Sequence, residues 1–308
     1  MRVAVVDMGT NSTRLLVADV ADGAVDEVDR QSTVTRLGRG VDTSGTLAAE
    51  AIEDVCRTVG EYVARYKELG AERVTAIATS AVRDATNGDA FIAELRERFS
   101  LEARTLSGDE EAQLTFLGAC CGRSCNDTLV VDIGGGSTEL VVGTGSDVSF
   151  HASLQAGVVR HSERHLRTDP PRAADLEELA TDVRRLIAAA TRDEAGEPVA
   201  RPRDAIAVAG TPTSLAAIDL GLDPYDPERV HGHRLELPAV QRMLSQLASL
   251  PLAERLEVPG LQAGRAPTIV AGVVILAEVM RAFELTEIEV SEHDILYGCA
   301  LSTALAPA

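Results

Sequence analysis

The sequence predicts an α/β protein of two related lobes, and three observations predict it. Apolar runs of strand length alternate with longer segments of helical period throughout the 308 residues. One motif occurs twice: Val5-Val6-Asp7-Met8-Gly9-Thr10-Asn11-Ser12-Thr13-Arg14-Leu15-Leu16-Val17 returns as Val130-Val131-Asp132-Ile133-Gly134-Gly135-Gly136-Ser137-Thr138-Glu139-Leu140-Val141-Val142, with eight of thirteen positions identical. Between the copies, Gly, Cys, Ser, Asn and Asp cluster from Cys120 to Asp127, which sets the expected lobes at residues 1–125 and 126–308. The last helix is allowed to pack back on the first lobe.

Taken in order, the first copy of the motif predicts strands over 2–7 and 13–20 joined by a Gly-containing turn. Leu47, Ile52, Val55, Val59 and Val63 fall on one face and predict a helix over 47–69, with Thr46 as N-cap and Gly70 as its stop. A strand at 72–78, a helix at 88–99, a strand near 101–105 and a helix at 108–119 complete the first lobe. After the second hairpin come helices at 156–167 and 172–191 and a linker-like stretch, Asp193-Glu194-Ala195-Gly196-Glu197-Pro198. A strand at 204–209 then runs into a helix beginning in Gly210-Thr211-Pro212-Thr213-Ser214. Asp223 to Pro227 reads as a loop, and helices at 238–248, 267–283 and 292–305 finish the chain.

Composition narrows the function classes. Twenty-nine basic against 48 acidic residues give a net charge of −19, which repels nucleic acid and anionic membrane. A polyphosphate ligand would need local positive charge, and Arg14, Arg36, Arg39, Arg83, Arg160, Arg164, Arg167 and Arg265 lie near the motif segments. Met1-Arg2 leads directly into a strand, and the longest apolar run, Ile269 to Val279, is too short to span a bilayer and contains Glu278. Five cysteines without framework spacing complete the expectation of a cytoplasmic protein with no membrane segment.

Each hairpin turn offers backbone N–H groups and hydroxyls to an anion, with an aspartate at the strand end. Gly134, Gly135 and Gly136 remove side chains so that successive N–H groups can approach phosphate oxygens, and Ser137 and Thr138 add hydroxyl donors. Thr10, Asn11 and Ser12 make the opposing clamp, so two halves facing one cleft would grip one phosphorylated ligand. Arg83 offers a fork matching two phosphate oxygens, with an ion pair to Asp84 or another neighbour as the competing reading. Glu139 stands where the first copy has Arg14, which suggests a carboxylate reserved for metal or water. With Asp132 it could hold Mg2+ or another divalent cation.

Three further segments join the hairpins in a resemblance: Ala78-Thr79-Ser80-Ala81-Val82-Arg83-Asp84-Ala85-Thr86-Asn87, Leu106-Ser107-Gly108-Asp109-Glu110-Glu111-Ala112, and Ala209-Gly210-Thr211-Pro212-Thr213-Ser214-Leu215-Ala216. The chain resembles the exopolyphosphatase and guanosine pentaphosphate phosphohydrolase family, in its short two-domain form, within the actin-like ATPase and sugar kinase superfamily. The resemblance implies two actin-like, ribonuclease H-like lobes with a cleft between them. It implies release of terminal orthophosphate from inorganic polyphosphate, and hydrolysis of guanosine pentaphosphate, by a metal-assisted attack of water. Glu111 matches the family's base, while its neighbour Glu110 is equivalent by spacing alone. Gly210 and Thr211 join the phosphate-binding set. The implied partners are inorganic polyphosphate and guanosine tetra- or pentaphosphate, with a homodimer admissible. Two other readings stay open: a kinase of the superfamily, disfavoured by Glu110-Glu111, and a noncatalytic guanosine tetra- or pentaphosphate receptor, disfavoured by Glu111 with Glu139.

The remaining constellations read as structural. Cys120, Cys121 and Cys125 lack a second pair at zinc spacing and are expected as buried or free thiols. His161 and His165 fall four apart on a predicted helix, but with Arg164 and Arg167 interleaved they are expected on a surface or substrate-groove face rather than as metal ligands. His231 and His233 are expected in a loop, in a structural role ahead of the alternative of a substrate contact, and Ser291-Glu292-His293-Asp294 suits a helix N-terminus rather than a serine triad.

Overall fold

The computed structural model describes residues 1–192, 196–198, 200 and 202–305. In chain order the elements are β1 (Arg2–Met8), β2 (Ser12–Ala21), β3 (Ala24–Val34), α1 (Val41–Ser44), α2 (Ala49–Glu68), β4 (Arg73–Ala78), α3 (Ser80–Asp84), α4 (Gly88–Phe99), β5 (Ala103–Thr105) and α5 (Gly108–Ala119). There follow β6 (Thr128–Ile133), β7 (Thr138–Thr144), β8 (Asp147–Leu154), α6 (Val158–His165), α7 (Ala173–Thr191), β9 (Asp204–Val208) and α8 (Gly210–Asp219). The rest are α9 (Pro227–Val230), β10 (Arg234–Glu236), α10 (Leu237–Ser249), α11 (Leu252–Arg255), α12 (Ile269–Ala282), β11 (Glu287–Val290) and α13 (Ile295–Leu305). Two compact units form: Met1–Arg123 with the segment from His293 onward, and Ser124–Glu292. The end of the expected linker at Gly196–Pro198 is described, whereas Asp193, Glu194 and Ala195 lie outside the described residues.

In the first unit the sheet order is β3-β2-β1-β4-β5. β1 is buried nearly throughout because both faces are covered, which is why it reads as a continuous apolar run rather than an alternation. Its side chains still divide by period two. Ala4, Val6 and Met8 pack with Val55, Val59 and Tyr62 of α2, while Val3 and Val5 pack with Ile295, Leu296 and Ala300 of α13. The last helix therefore completes the core of the unit in which the chain began. α13 meets α5 at backbone distance: a Cβ on Gly118 would lie 1.8 Å from the Asp294 carbonyl oxygen, and one on Gly298 equally close to that of Leu114. No side chain fits at either position.

The second unit repeats the plan as β8-β7-β6-β9-β11, with β10 added at the edge. β6 is buried from end to end, and Leu129, Val131 and Ile133 enter a core supplied largely by α7, α10 and α12. α12 is apolar all round and buried from Ile269 to Met280, Glu278 included, where Arg281 pairs with the carboxylate. No helix among the described residues is long and apolar enough to cross a membrane.

Local differences from expectation have local reasons. α2 begins at Ala49 with Ala48 as an uncapped N-cap, because the Thr46 hydroxyl is turned to Ser44. α13 begins at Ile295 rather than 292, with an Asp294 carboxylate oxygen accepting from Leu296 N at 2.9 Å. Cys120 and Cys125 are disulfide-bonded rather than free thiols, and only Cys121 of that group keeps its thiol. The third strand of each sheet, β3 and β8, went unforeseen. β3 carries Asp26, Glu27, Asp29 and Arg30 on a largely exposed edge, so it has no apolar face to announce it. β8 does alternate, with Val148, Phe150, Ala152 and Leu154 on the more protected side, and that period was readable.

Candidate active site

Both hairpins close in the same way. Gly9 N donates to Ser12 O and Gly134 N donates to Ser137 O, each at 3.0 Å, so a four-residue turn joins antiparallel strands in both units. The aspartates then hold equivalent register positions, Asp7 opposite Arg14 and Asp132 opposite Glu139. What stands across the ladder sets their chemistry.

In the first hairpin Arg14 donates to Asp7 Oδ2 through Nε at 2.9 Å and Nη2 at 2.6 Å, and through Nη1 to Asp294. Arg30 lies 3.6 Å from the same Asp294 oxygen. Burial pushes the Asp7 carboxyl up despite Arg14, and its Oδ1 has no hydrogen-bond partner. Asp294 is equally enclosed, yet Arg14 and Arg30 outweigh its burial and hold it below the usual carboxylate range. This charge cluster was missed in sequence, where Asp294 figured only among helix-opening residues. Its signal was the apolar surroundings of two acids and one arginine, legible only once β1, β2 and α13 are adjacent.

In the second hairpin Asp132 and Glu139 are both buried, directly across from one another on β6 and β7. Like charges at such a position destabilise a sheet unless something positive joins them. Glu139 Oε1 accepts from Ser153 Oγ of β8 at 3.0 Å, which fixes the side chain's direction. Two buried carboxylates with oxygen donors suit a hard divalent cation such as Mg2+.

The turns differ in what surrounds them. Thr10 Oγ1 is 3.0 Å from Ser80 Oγ at the start of α3, and its carbonyl accepts from Gly38 N. Asn11 O accepts from Arg36 N, while the Asn11 amide nitrogen is buried with no hydrogen-bond partner. Ser12 is buried at the head of β2. In the other turn the carbonyls of Gly134 and Gly135 accept from Val158 and Val159 N, and that of Gly136 from Arg160 Nε at 2.8 Å. α6 is thus mounted on the triglycine. A Cβ on Gly157 would lie 2.2 Å from Gly135 O, so the approach requires glycine. Ser137 is buried beside it, and Thr138 Oγ1 donates to Ala156 O at 2.5 Å, so that hydroxyl proton is engaged within the protein.

The parallel strand beside each hairpin ends in a helix N-terminus: β4 leads to Ser80 and β9 to Gly210. Ala209 holds φ 72° and ψ −172°, a region that costs a residue with a Cβ about 1–3 kcal/mol. The Arg265 guanidinium occupies the space a Cβ on Gly210 would take, and Thr211 packs on Gly272.

Glu110 and Glu111, equivalent by spacing, separate completely. Glu110 closes a capping box with Ser107: its carboxylate accepts from Ser107 N at 3.0 Å and Ser107 Oγ accepts from Glu110 N at 3.2 Å. The cap hydrogen bond from Ser107 and the Arg104 guanidinium hold its carboxyl low despite partial desolvation. Glu111 points the other way and is buried, accepting from Arg83 Nη1 at 2.8 Å. Burial raises its pKa, and Arg83 only partly opposes the rise. The Arg83 guanidinium also reaches Leu106 O at 2.9 Å, so its partner is Glu111 rather than the adjacent Asp84 in the pairing seen here.

Of the other arginines, Arg164 faces Asp182 and Arg167 pairs with Glu178. His231 Nδ1 accepts from Glu292 N and His233 lies 2.9 Å from Asp219, both holding loops in the second unit. His161 and His165 depart from expectation: both are buried rather than on a surface or groove face.

Two units that repeat one sheet order, each opening on a hairpin with Asp at the strand end, define a protein of the actin-like α/β class. The chain belongs to the Ppx/GppA phosphatase family, which it matches over residues 16–305. It is 36% identical over 318 residues to Exopolyphosphatase 2 of Mycobacterium tuberculosis, covering 98% of each chain. Its fold superposes on a Ppx/GppA family member of Aquifex aeolicus with TM-score 0.84 at 29% identity, covering 99% of this chain and 98% of that one. An exopolyphosphatase from Cytophaga hutchinsonii gives TM-score 0.88 at 25% identity, with 98% of each chain covered.

Proposed function

We propose that the protein releases terminal orthophosphate from inorganic polyphosphate, and also hydrolyses guanosine pentaphosphate. The observation that carries this reading is the separation of Glu110 from Glu111, which leaves one buried carboxylate of raised pKa outside the helix cap. Family membership and the exopolyphosphatase relatives support the substrate class.

In this reading Glu111 takes a proton from the attacking water, and the ion pair with Arg83 favours the carboxylate's ionised form. The N–H groups of Gly134, Gly135 and Gly136 and the hydroxyl of Ser137 receive phosphate oxygens, with Thr138 holding the strand end in place. Thr10, Asn11 and Ser12 do the same from the first hairpin, the unpartnered Asn11 amide acting as a donor. Gly210 and Thr211 present the N-terminus of α8 to anionic oxygen. Asp132 and Glu139 would hold Mg2+ or another divalent cation, which supplies charge neutralisation at the phosphoryl group when bound.

Phosphate release from short polyphosphate, long polyphosphate and guanosine pentaphosphate, measured side by side with Mg2+, tests the proposal. Release from polyphosphate supports it. Tight guanosine nucleotide binding without turnover would replace it with a receptor, and phosphoryl transfer between nucleotides without free phosphate would replace it with a kinase.

A further inference from the structure

α6 does more than follow the triglycine turn. Its first residues bond the carbonyls of Gly134 and Gly135, so any force that fixes α6 fixes the backbone that presents those glycines. One helical turn further on, His161 and His165 project from the same face, four residues apart, towards Asp182 of α7. His161 is wholly enclosed, and neither of its ring nitrogens has a hydrogen-bond partner; His165 Nδ1 is likewise buried and without one. A polar ring enclosed in this way costs about 1–3 kcal/mol if nothing joins it.

The donor atoms converge. Asp182 Oδ2 lies 3.5 Å from His161 Nε2 and 3.3 Å from His165 Nε2. The ring centroids are 5.4 Å apart and tilted by 43°, and one ligand atom from each of the three residues falls within 4.8 Å of the others. A tetrahedral zinc ion with ligand bonds near 2.0–2.1 Å separates its ligand atoms by about 3.3–3.4 Å. The two separations to Asp182 Oδ2, 3.5 and 3.3 Å, bracket or meet that edge length. Asp182 Oδ1 accepts from Arg185 at 2.7 Å, which orients the carboxylate and leaves Oδ2 facing the histidines.

Other charged groups reach the cluster. Arg164 Nη1 is 3.5 Å from Asp182 Oδ2, and Glu178 Oε1 is 3.9 Å from His165 Nδ1. The Arg164 side chain is exposed, while Glu178 approaches the nitrogen that a ligating His165 would use for an outer partner.

We propose that His161, His165 and Asp182 form a site for a zinc-class transition-metal ion, which ties α6 to α7 and thereby stiffens the Gly134–Gly136 turn. Two imidazoles and one carboxylate leave a fourth position for water and favour zinc or cobalt over Mg2+. The site is chemically distinct from Asp132 and Glu139, whose donors are all oxygen.

The test uses the full chain, stripped of metal and held in constant excess Mg2+. Zinc or cobalt alone is then titrated, with metal content, the visible d–d spectrum of cobalt and thermal unfolding as readouts. The expected result is one tightly held equivalent, an intense tetrahedral cobalt band, and a Tm raised by roughly 5 °C or more at a hundredfold excess over Kd. His165→Gln and Asp182→Asn should each lower affinity by roughly 10-fold or more, while Asp132→Asn retains the band. A wild-type protein with no tetrahedral cobalt band at saturation overturns the proposal, whatever the variants do. Equal uptake by wild type, His165→Gln and Asp182→Asn overturns it as well.

Discussion

The two hairpins share eight of thirteen residues and an identical turn closure, yet the position facing the aspartate is Arg14 in one and Glu139 in the other. In the first, the arginine joins Asp7 to Asp294 and fastens α13 to the sheet. In the second, a carboxylate faces a carboxylate across the ladder, and Glu139 accepts from Ser153 Oγ of β8. One copy of the motif has become a structural joint; the other sets two buried carboxylates opposite one another. A duplication therefore need not yield two equivalent sites.

Exchanging the two residues should break this contrast most severely. Arg14→Glu would enclose three carboxylates, Asp7, the introduced Glu and Asp294, with Arg30 still beside Asp294. Breaking a buried ion pair costs about 3–5 kcal/mol, so urea unfolding should show at least that loss. Glu139→Arg would instead recreate the first hairpin's pairing with Asp132. It should fold with near-normal stability and lose nearly all phosphate release. A Glu139→Arg protein with substantial turnover would show that the second hairpin's acidity is not catalytic.

Next in size is the pair of adjacent glutamates. Glu111→Gln should reduce turnover by roughly 10²–10⁴-fold with little change in substrate affinity. Glu110→Gln should cost stability by about 1 kcal/mol or less through the weakened capping box, with turnover close to wild type. The reverse pattern in steady-state kinetics would assign the base to Glu110.

These contrasts also show what was legible in the sequence. The doubled motif, the apolar runs of β1 and β6 and the stop at Gly70 were visible because each depends on neighbours close in the chain. The division of labour between Glu110 and Glu111 was not, since spacing cannot tell which side of a helix's first turn is covered. Asp294 and His165 escaped for the same reason: their partners come from elements 280 and 17 residues away in the chain. The edge strand β3 escaped for another, because solvent on its surface removes the apolar pattern that would mark it.

A smaller effect should come from Arg83. Its guanidinium opposes the burial that raises Glu111, so Arg83→Met should move the Glu111 pKa further up. A base must be ionised to act. The acid limb of the kcat profile should therefore shift to higher pH, by about one unit, with the plateau above it partly retained. The stability sign is consistent: an acid whose folded pKa is raised contributes stability below its unfolded pKa that is lost as pH rises through the folded value. An acid limb that stays in place would mean Arg83 serves phosphate rather than Glu111.

The smallest expected effect sharpens the comparison at the turns themselves. Asn11 occupies the place of Gly136, and its amide nitrogen is buried with no hydrogen-bond partner, whereas the triglycine offers only backbone donors. A buried donor left unsatisfied costs about 1–3 kcal/mol, so its retention is explained if a ligand oxygen completes it. Asn11→Ala removes the donor and the cost together. Stability measured by urea unfolding should then be unchanged or rise by up to about 1 kcal/mol, while KM for polyphosphate rises several-fold, roughly the 0.5–1.5 kcal/mol of one neutral hydrogen bond. Arg36 N still bonds the residue 11 carbonyl, so the turn itself should persist. A loss of stability with KM unchanged would place the Asn11 side chain among the packing residues of the first unit, and would leave the triglycine as the only turn of the two that reads phosphate.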